Sequence, residues 1–125
     1  MPKIDYGITF CRVPDLAATQ MFCEDQLGLP LLLAQAECVI YKVSEQCAWG
    51  FCQAQESLPA EPLPVLTFVT DEVDEWYSYL IQRGVLVDGP SRKNELYRIY
   101  HFYAETPGGW RLEVQSFFDP RWKSA

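Results

Sequence analysis

One order of elements, written twice in 125 residues, constrains this chain more than any single motif. The stretch Ala54 to Pro64 carries Pro59, Pro62 and Pro64 among Gln, Glu and Ser, so neither a continuous ladder nor a helix can cross it, and it reads as a linker. On its N-terminal side, Tyr6 to Val13 is rich in β-favouring residues and is closed by Pro14-Asp15. Asp15 is placed to cap a helix running through Leu16 towards Leu27. Gly28 stands where a left-handed residue ends helices, with Pro30 beyond it. Extended segments follow at about Leu31 to Ala34, Cys38 to Val43 and Cys47 to Gln53. Beyond the linker, Val65 to Thr70 reads as a strand. Val73, Trp76, Tyr77, Leu80 and Ile81 then recur at the spacing of an amphipathic helix, which Gly84 stops. Val85 to Val87, Tyr97 to Ala104 and Trp110 to Phe117 supply three more strands. The expected fold is therefore α+β. It is one domain of two βαβββ modules, about residues 4–53 and 64–117, with a linker at about 54–63. Two such sheets, paired with their helices outside, are expected to form a curved surface around a cavity.

Composition removes several function classes. The formal net charge is −7, and the basic residues are scattered apart from Arg92-Lys93, which argues against a nucleic-acid surface and leaves room for a cationic ligand. No apolar run approaches the roughly 20 residues needed to span a bilayer, and Met1 to Asp5 has no signal-like apolar core. The five cysteines, Cys11, Cys23, Cys38, Cys47 and Cys52, are an odd set without CxxC spacing and read as reduced core thiols of a cytoplasmic protein.

The C-terminal hairpin holds the most telling polar residues. Its turn is Thr106-Pro107-Gly108-Gly109, and alternation beyond it puts Arg111, Glu113 and Gln115 on one face and Trp110, Leu112 and Val114 on the other. In the preceding strand the only histidine, His101, shares a face with Tyr97, Ile99 and Tyr103. His101 is a candidate general base or ligand donor, or else a satisfied strand histidine; its pairing with Glu113 depends on the register of the hairpin. Trp49 and Phe51 share another face, with Tyr41 on the neighbouring strand, and offer either a stacking surface for a planar ligand or ordinary core. Arg111 is the cation best placed for a ligand anion, its alternative being a pair with Glu113.

Three ordered landmarks resemble the glyoxalase, bleomycin-resistance and extradiol-dioxygenase superfamily. They are Arg12-Val13-Pro14-Asp15-Leu16 with Phe22 and Leu27-Gly28-Leu29; Phe68-Val69-Thr70-Asp71 with Val73-Asp74 and Arg83-Gly84-Val85; and Phe102 through Pro107-Gly108-Gly109 to Leu112-Glu113-Val114. The resemblance implies a divalent metal held by His, Glu or Gln from the first and last strands of each module. Carried over by position, the last ligand is Glu113, but the first falls on Ile8, the second near Trp49 and the third on Pro64 or Val65. Cys23 and Thr106 also depart from the pattern, Thr106 being able to keep the turn through its hydroxyl.

The function expected from this set is a metal-independent small-molecule binding protein that sequesters a drug or metabolite, with no cofactor. Its ligand is expected to be aromatic or cationic, and the resemblance implies a homodimer. The ligand-binding candidates are Trp49, Phe51, Tyr97, His101, Tyr103, Arg111 and Glu113. The alternative is a lyase, isomerase, dioxygenase or thiol transferase that uses a divalent metal or a His101/Glu113 acid–base pair. The aromatic tail Phe117 to Trp122 is too apolar to stand free and is expected to pack on a helix, cover the cavity or join an interface.

Overall fold

The computed structural model describes residues 1–58 and 62–122, which form two compact units. Unit 1 is Met1–Pro64 with Thr106–Trp110, and unit 2 is Val65–Glu105 with the chain from Arg111 onward. Unit 1 contains β1 (Gly7–Val13), α1 (Leu16–Met21), β2 (Leu31–Gln35), β3 (Cys38–Ser44) and β4 (Cys47–Gln53). Unit 2 contains β5 (Val65–Val69), α2 (Val73–Gln82), β6 (Arg92–Asn94), β7 (Ile99–Ala104) and β8 (Arg111–Phe117). The two four-stranded sheets have the same topology, β1-β4-β3-β2 and β5-β8-β7-β6. In each, the first strand lies parallel to the last and the others pair antiparallel. The written repeat is thus an α+β structural repeat. Residues 59–61 of the expected linker lie outside the described residues; 54–58 and 62–64 carry no helix or strand.

Local signals start and stop the helices as expected. The Asp15 carboxylate accepts from the Ala18 N–H at 3.0 Å, and Gly28 takes a φ of 74°. The first helix is not α throughout, however. Its second half, Phe22–Gln26, is π-helical, and the Leu27 N–H bonds the Phe22 carbonyl at 2.9 Å. Buried Thr19, Phe22, Cys23 and Leu27 line the inner side of the helical segment, each large apolar side chain contributing roughly 2 kcal/mol by leaving water. Burial, reinforced by the adjacent Glu24, pushes the Cys23 thiol up to about 12, so it is an inert core thiol.

Three sequence expectations need correction. The third strand of the second half is Arg92–Asn94, not Val85 to Val87, which contributes one isolated bridge from Val87 to Ala104. This strand was hidden because an edge strand needs no apolar pattern. Strand β7 begins at Ile99 because Arg98 adopts a φ of 53°, which breaks the alternation and leaves Tyr97 in an exposed turn. The cysteines are not all thiols: Cys38 and Cys52 stand opposite each other in the β3–β4 ladder, Cα atoms 4.2 Å apart, and are disulfide-bonded. The cysteine set therefore no longer argues for a reducing compartment.

The hairpin turn carries Trp110 into unit 1. The Thr106 hydroxyl donates to the Trp110 carbonyl at 2.7 Å and accepts from the Gly108 N–H, keeping the turn as expected. Gly109 has a φ of 90°, and a Cβ there would stand 3.1 Å from the Arg12 carbonyl oxygen, so a side chain at this position would be strained. Trp110 is buried against Phe22, Trp49 and Phe51, with ring centroids 5.0–5.8 Å apart. In the tail, Trp122 stacks on Phe117 at 4.3 Å.

Candidate functional site

The helix-facing side of the unit 2 sheet is apolar: Phe68 meets Trp76 at 5.1 Å and Phe102 meets Tyr77 at 5.4 Å. Alternation sends Thr67, His101, Tyr103, Arg111, Glu113 and Gln115 to the opposite side. The ladders set these residues in two cross-strand rows. One row is Thr67, Glu113 and Tyr103; the other is Val69, Gln115 and His101. Of the four polar or charged residues buried among those described, His101, Glu113 and Gln115 lie here. Burying a carboxylate without partners costs several kcal/mol, so its surroundings are informative.

Glu113 is saturated. His101 Nδ1 lies 2.8 Å from Oε2, and the Thr67 hydroxyl donates to Oε1 at 3.1 Å. With its amide oriented nitrogen-inward, as the hydrogen bonding requires, Gln115 donates to both oxygens at 3.1 and 3.3 Å. An ionised carboxylate can only accept, so Nδ1 is the donor in this pair. Nε2 has no hydrogen bond among the described residues. His101 is buried, with 6% of its surface exposed. The His101 ring meets Tyr103 edge-on at 5.3 Å.

Arg111 does not pair with Glu113. Its guanidinium carbon lies 4.0 Å over the Tyr103 ring, and no carboxylate among the described residues is within ion-pair distance. Arg92, across the ladder from His101, is committed to Asp88 at 2.7 Å. That hydrogen-bonded guanidinium, helped by the Tyr103 N–H, holds the Asp88 carboxyl below its usual range. Burial first, then the nearby Glu113 charge, pushes the Tyr103 hydroxyl above its ordinary range.

The remaining candidates lie elsewhere. Trp49 and Phe51 point to the helix side of the unit 1 sheet and belong to the Trp110 core. Tyr41 is equally buried there, its hydroxyl donating to Glu24 at 2.6 Å. Tyr97 is removed by the turn at Arg98. Thr67 and the donor role of Gln115 were missed, although period-two alternation over Val65–Val69 placed Thr67 on this face.

The match to known proteins accords with this architecture. Residues 7–114 match the family described as the Glyoxalase/Bleomycin resistance protein/Dioxygenase superfamily. The chain belongs to that superfamily.

No curated protein sequence matches the chain. Solved structures do. A glyoxalase/bleomycin resistance protein/dioxygenase from Nocardioides superposes with a TM-score of 0.81 at 15% identity, covering 100% of this chain and 91% of the other. A lactoylglutathione lyase from Agrobacterium tumefaciens gives 0.77 at 23% identity, covering 98% and 100%. An integron cassette protein from the mobile metagenome of V. cholerae gives 0.69 at 21%, covering 94% and 98%. At these identities the likeness establishes the fold alone.

The glyoxalase-superfamily resemblance raises the question of a divalent ion, and the donor set here does not fit one. The residue opposite Glu113 is Thr67, and its hydroxyl is engaged as a donor to that carboxylate. In unit 1, Ile8 pairs with Ala48 and Phe10 with Gly50, while Trp49 points to the other face. No group of three or more His, Cys, Asp or Glu side chains able to hold a metal occurs among the described residues. Among the described residues no helix is long and apolar enough to cross a membrane.

Proposed function

We propose that this superfamily member is a metal-independent small-molecule binding protein whose ligand rests on the polar face of unit 2, against His101, Tyr103 and Arg111. The observation that carries this reading is the saturation of Glu113 by Thr67, His101 and Gln115. A carboxylate whose acceptor sites are filled by three side-chain donors serves to hold those side chains in place, so it orients a binding surface and is a poor metal ligand. Arg111, stacked on Tyr103 without an anionic partner, and the unbonded His101 Nε2 are the groups this surface offers to a ligand.

The test is elemental analysis of gently purified protein, combined with melting scans with and without Zn²⁺, Mn²⁺ and Ni²⁺ and with a panel of small anionic, neutral and cationic compounds. The expected result is no stoichiometric metal, no metal-dependent shift, and stabilisation by members of one charge class. A ligand at a hundred times its Kd adds about 2.7 kcal/mol. Stoichiometric metal with a matching rise in Tm would overturn the reading. A second reading, acid–base catalysis, is favoured by the 2.8 Å contact between His101 and Glu113.

A further inference from the structure

We propose that the Cys38–Cys52 disulfide is a thiol-exchange site. On the face of the unit 1 sheet turned away from its helix, it is opened by low-molecular-weight thiols that carry an anionic group, and it recloses in the folded chain. This inference goes beyond the binding reading above and does not depend on it.

Three observations carry it. First, the bridge is within reach of solvent. Cys38 and Cys52 are half-buried, whereas Cys11 and Cys23 are buried. Alternation along β4 puts Cys52 on the same side as Gly50, over which the exposed Phe10 ring lies, and opposite to the buried Phe51. Exchange needs a thiolate to reach a sulfur atom, so exposure decides which bridges react in the folded state.

Second, the ladder holds the two residues in place without the bond. Their Cα atoms, 4.2 Å apart, have the close spacing of a non-hydrogen-bonded pair. Val39 pairs with Phe51 on one side of them, and on the other the Gln53 N–H donates to the Glu37 carbonyl at 3.0 Å. Strand β1 anchors β4 from its other edge, with Arg12 opposite Cys52. Opening the bridge therefore leaves two thiols facing each other, ready to close again.

Third, Arg12 supplies the charge. Alternation sets it on the face of Phe10 and Cys52, where it is exposed, and no carboxylate among the described residues is within ion-pair distance of it. A guanidinium beside the bridge attracts a thiol with an anionic substituent. The neighbouring acid in the chain, Glu37, is engaged by the Gln55 amide.

The remaining cysteines do not compete. Burial pushes the Cys11 thiol up, as it does that of Cys23. Cys47 begins β4 on the side of Trp49 and Phe51, and five extended residues put it roughly 17 Å from Cys52, so reshuffling to it requires the sheet to break.

The step is balanced. The incoming thiolate bonds to one cysteine sulfur, the Cys38–Cys52 bond breaks, and its electron pair leaves on the other. A second thiol attacks the mixed disulfide and frees the first cysteine. Two small thiols are thus oxidised to one small disulfide, their protons passing to the two cysteines, and the same small disulfide drives the reverse closure.

The experiment exposes the oxidised protein to 3-mercaptopropionate or cysteamine at equal thiolate concentration and physiological ionic strength. Iodoacetamide stops the reaction, and mass spectrometry maps the alkylated cysteines. Opening is expected at a rate proportional to thiolate concentration and unchanged by low urea, about threefold faster with 3-mercaptopropionate, a preference that Arg12→Gln removes. Cys52→Ser should hold Cys38 as a one-to-one adduct with the disulfide of 3-mercaptopropionate; if that variant fails to fold, the kinetics of the unaltered protein still decide. Opening that is independent of thiol and accelerated by urea would show a bridge reached only by unfolding and would overturn the proposal. Faster opening by cysteamine would overturn the anionic class. Reclosure should restore Cys38–Cys52 alone, and pairing with Cys47 would overturn the role given to the ladder. The readout is covalent, so it stands or falls apart from ligand binding on unit 2.

Discussion

Two sheets with one strand order and one pattern of pairing carry opposite chemistry on the faces turned away from their helices. In unit 1 that face presents Ile8, Phe10 and Ala48, with the Phe10 ring lying over Gly50 so closely that a Cβ there would come within 2.4 Å of it. In unit 2 the corresponding first and last strands present Thr67, Glu113 and Gln115, completed by His101 from β7. The helix-facing sides are alike, both filled by aromatic and aliphatic side chains. The repeat thus preserves what folding requires and differs in the polarity of the opposite face. All five cysteines fall in unit 1, so covalent reinforcement and polar-site construction are also segregated.

Four measurements would break or sharpen this contrast. The largest effect is expected from Trp110→Ala, which empties the aromatic core of unit 1 and should lower stability by about 3–5 kcal/mol in denaturant unfolding. A loss under 1 kcal/mol would mean that Trp110 does not organise that unit. Reduction of Cys38–Cys52, which closes a loop spanning a sequence separation of 14, should cost about 3 kcal/mol. Melting scans with and without reductant check this, and identical curves would remove the covalent half of the contrast.

Glu113→Ala should cost about 1–3 kcal/mol, because buried His101 and Gln115 lose the acceptor they share. The same variant should lose ligand-induced stabilisation altogether, since the orientation of His101 depends on that carboxylate. A stable variant that still binds would show that Glu113 does not orient the binding surface. The smallest effect belongs to Asp88. Its carboxyl is held below the usual range chiefly by Arg92, so its contribution is present above the unfolded pKa of about 4 and is lost as pH falls through the lowered folded value. Both partners are partly exposed, so Arg92→Ala should remove no more than about 0.5 kcal/mol near neutral pH and flatten the acid limb of the stability profile slightly.

Local chemistry alone determined much of this protein. Asp15 and Gly28 bound the first helical segment, the Val73-to-Ile81 stripe and Gly84 define α2, and period-two alternation puts Arg111, Glu113 and Gln115 on one face, because caps, stripes and pleats depend on near neighbours. Contacts between strands were decided only by the tertiary structure. The hairpin register brings His101 within reach of Glu113, the β3–β4 ladder sets Cys38 against Cys52, the backbone at Arg98 turns Tyr97 away, and the Thr106–Trp110 turn delivers Trp110 to unit 1. A slip of one residue in any ladder reverses which face a side chain occupies, and what selects the register is the packing of segments distant in the chain. The site belongs to that second class, since its donors and acceptor come from three strands that meet only in the folded sheet.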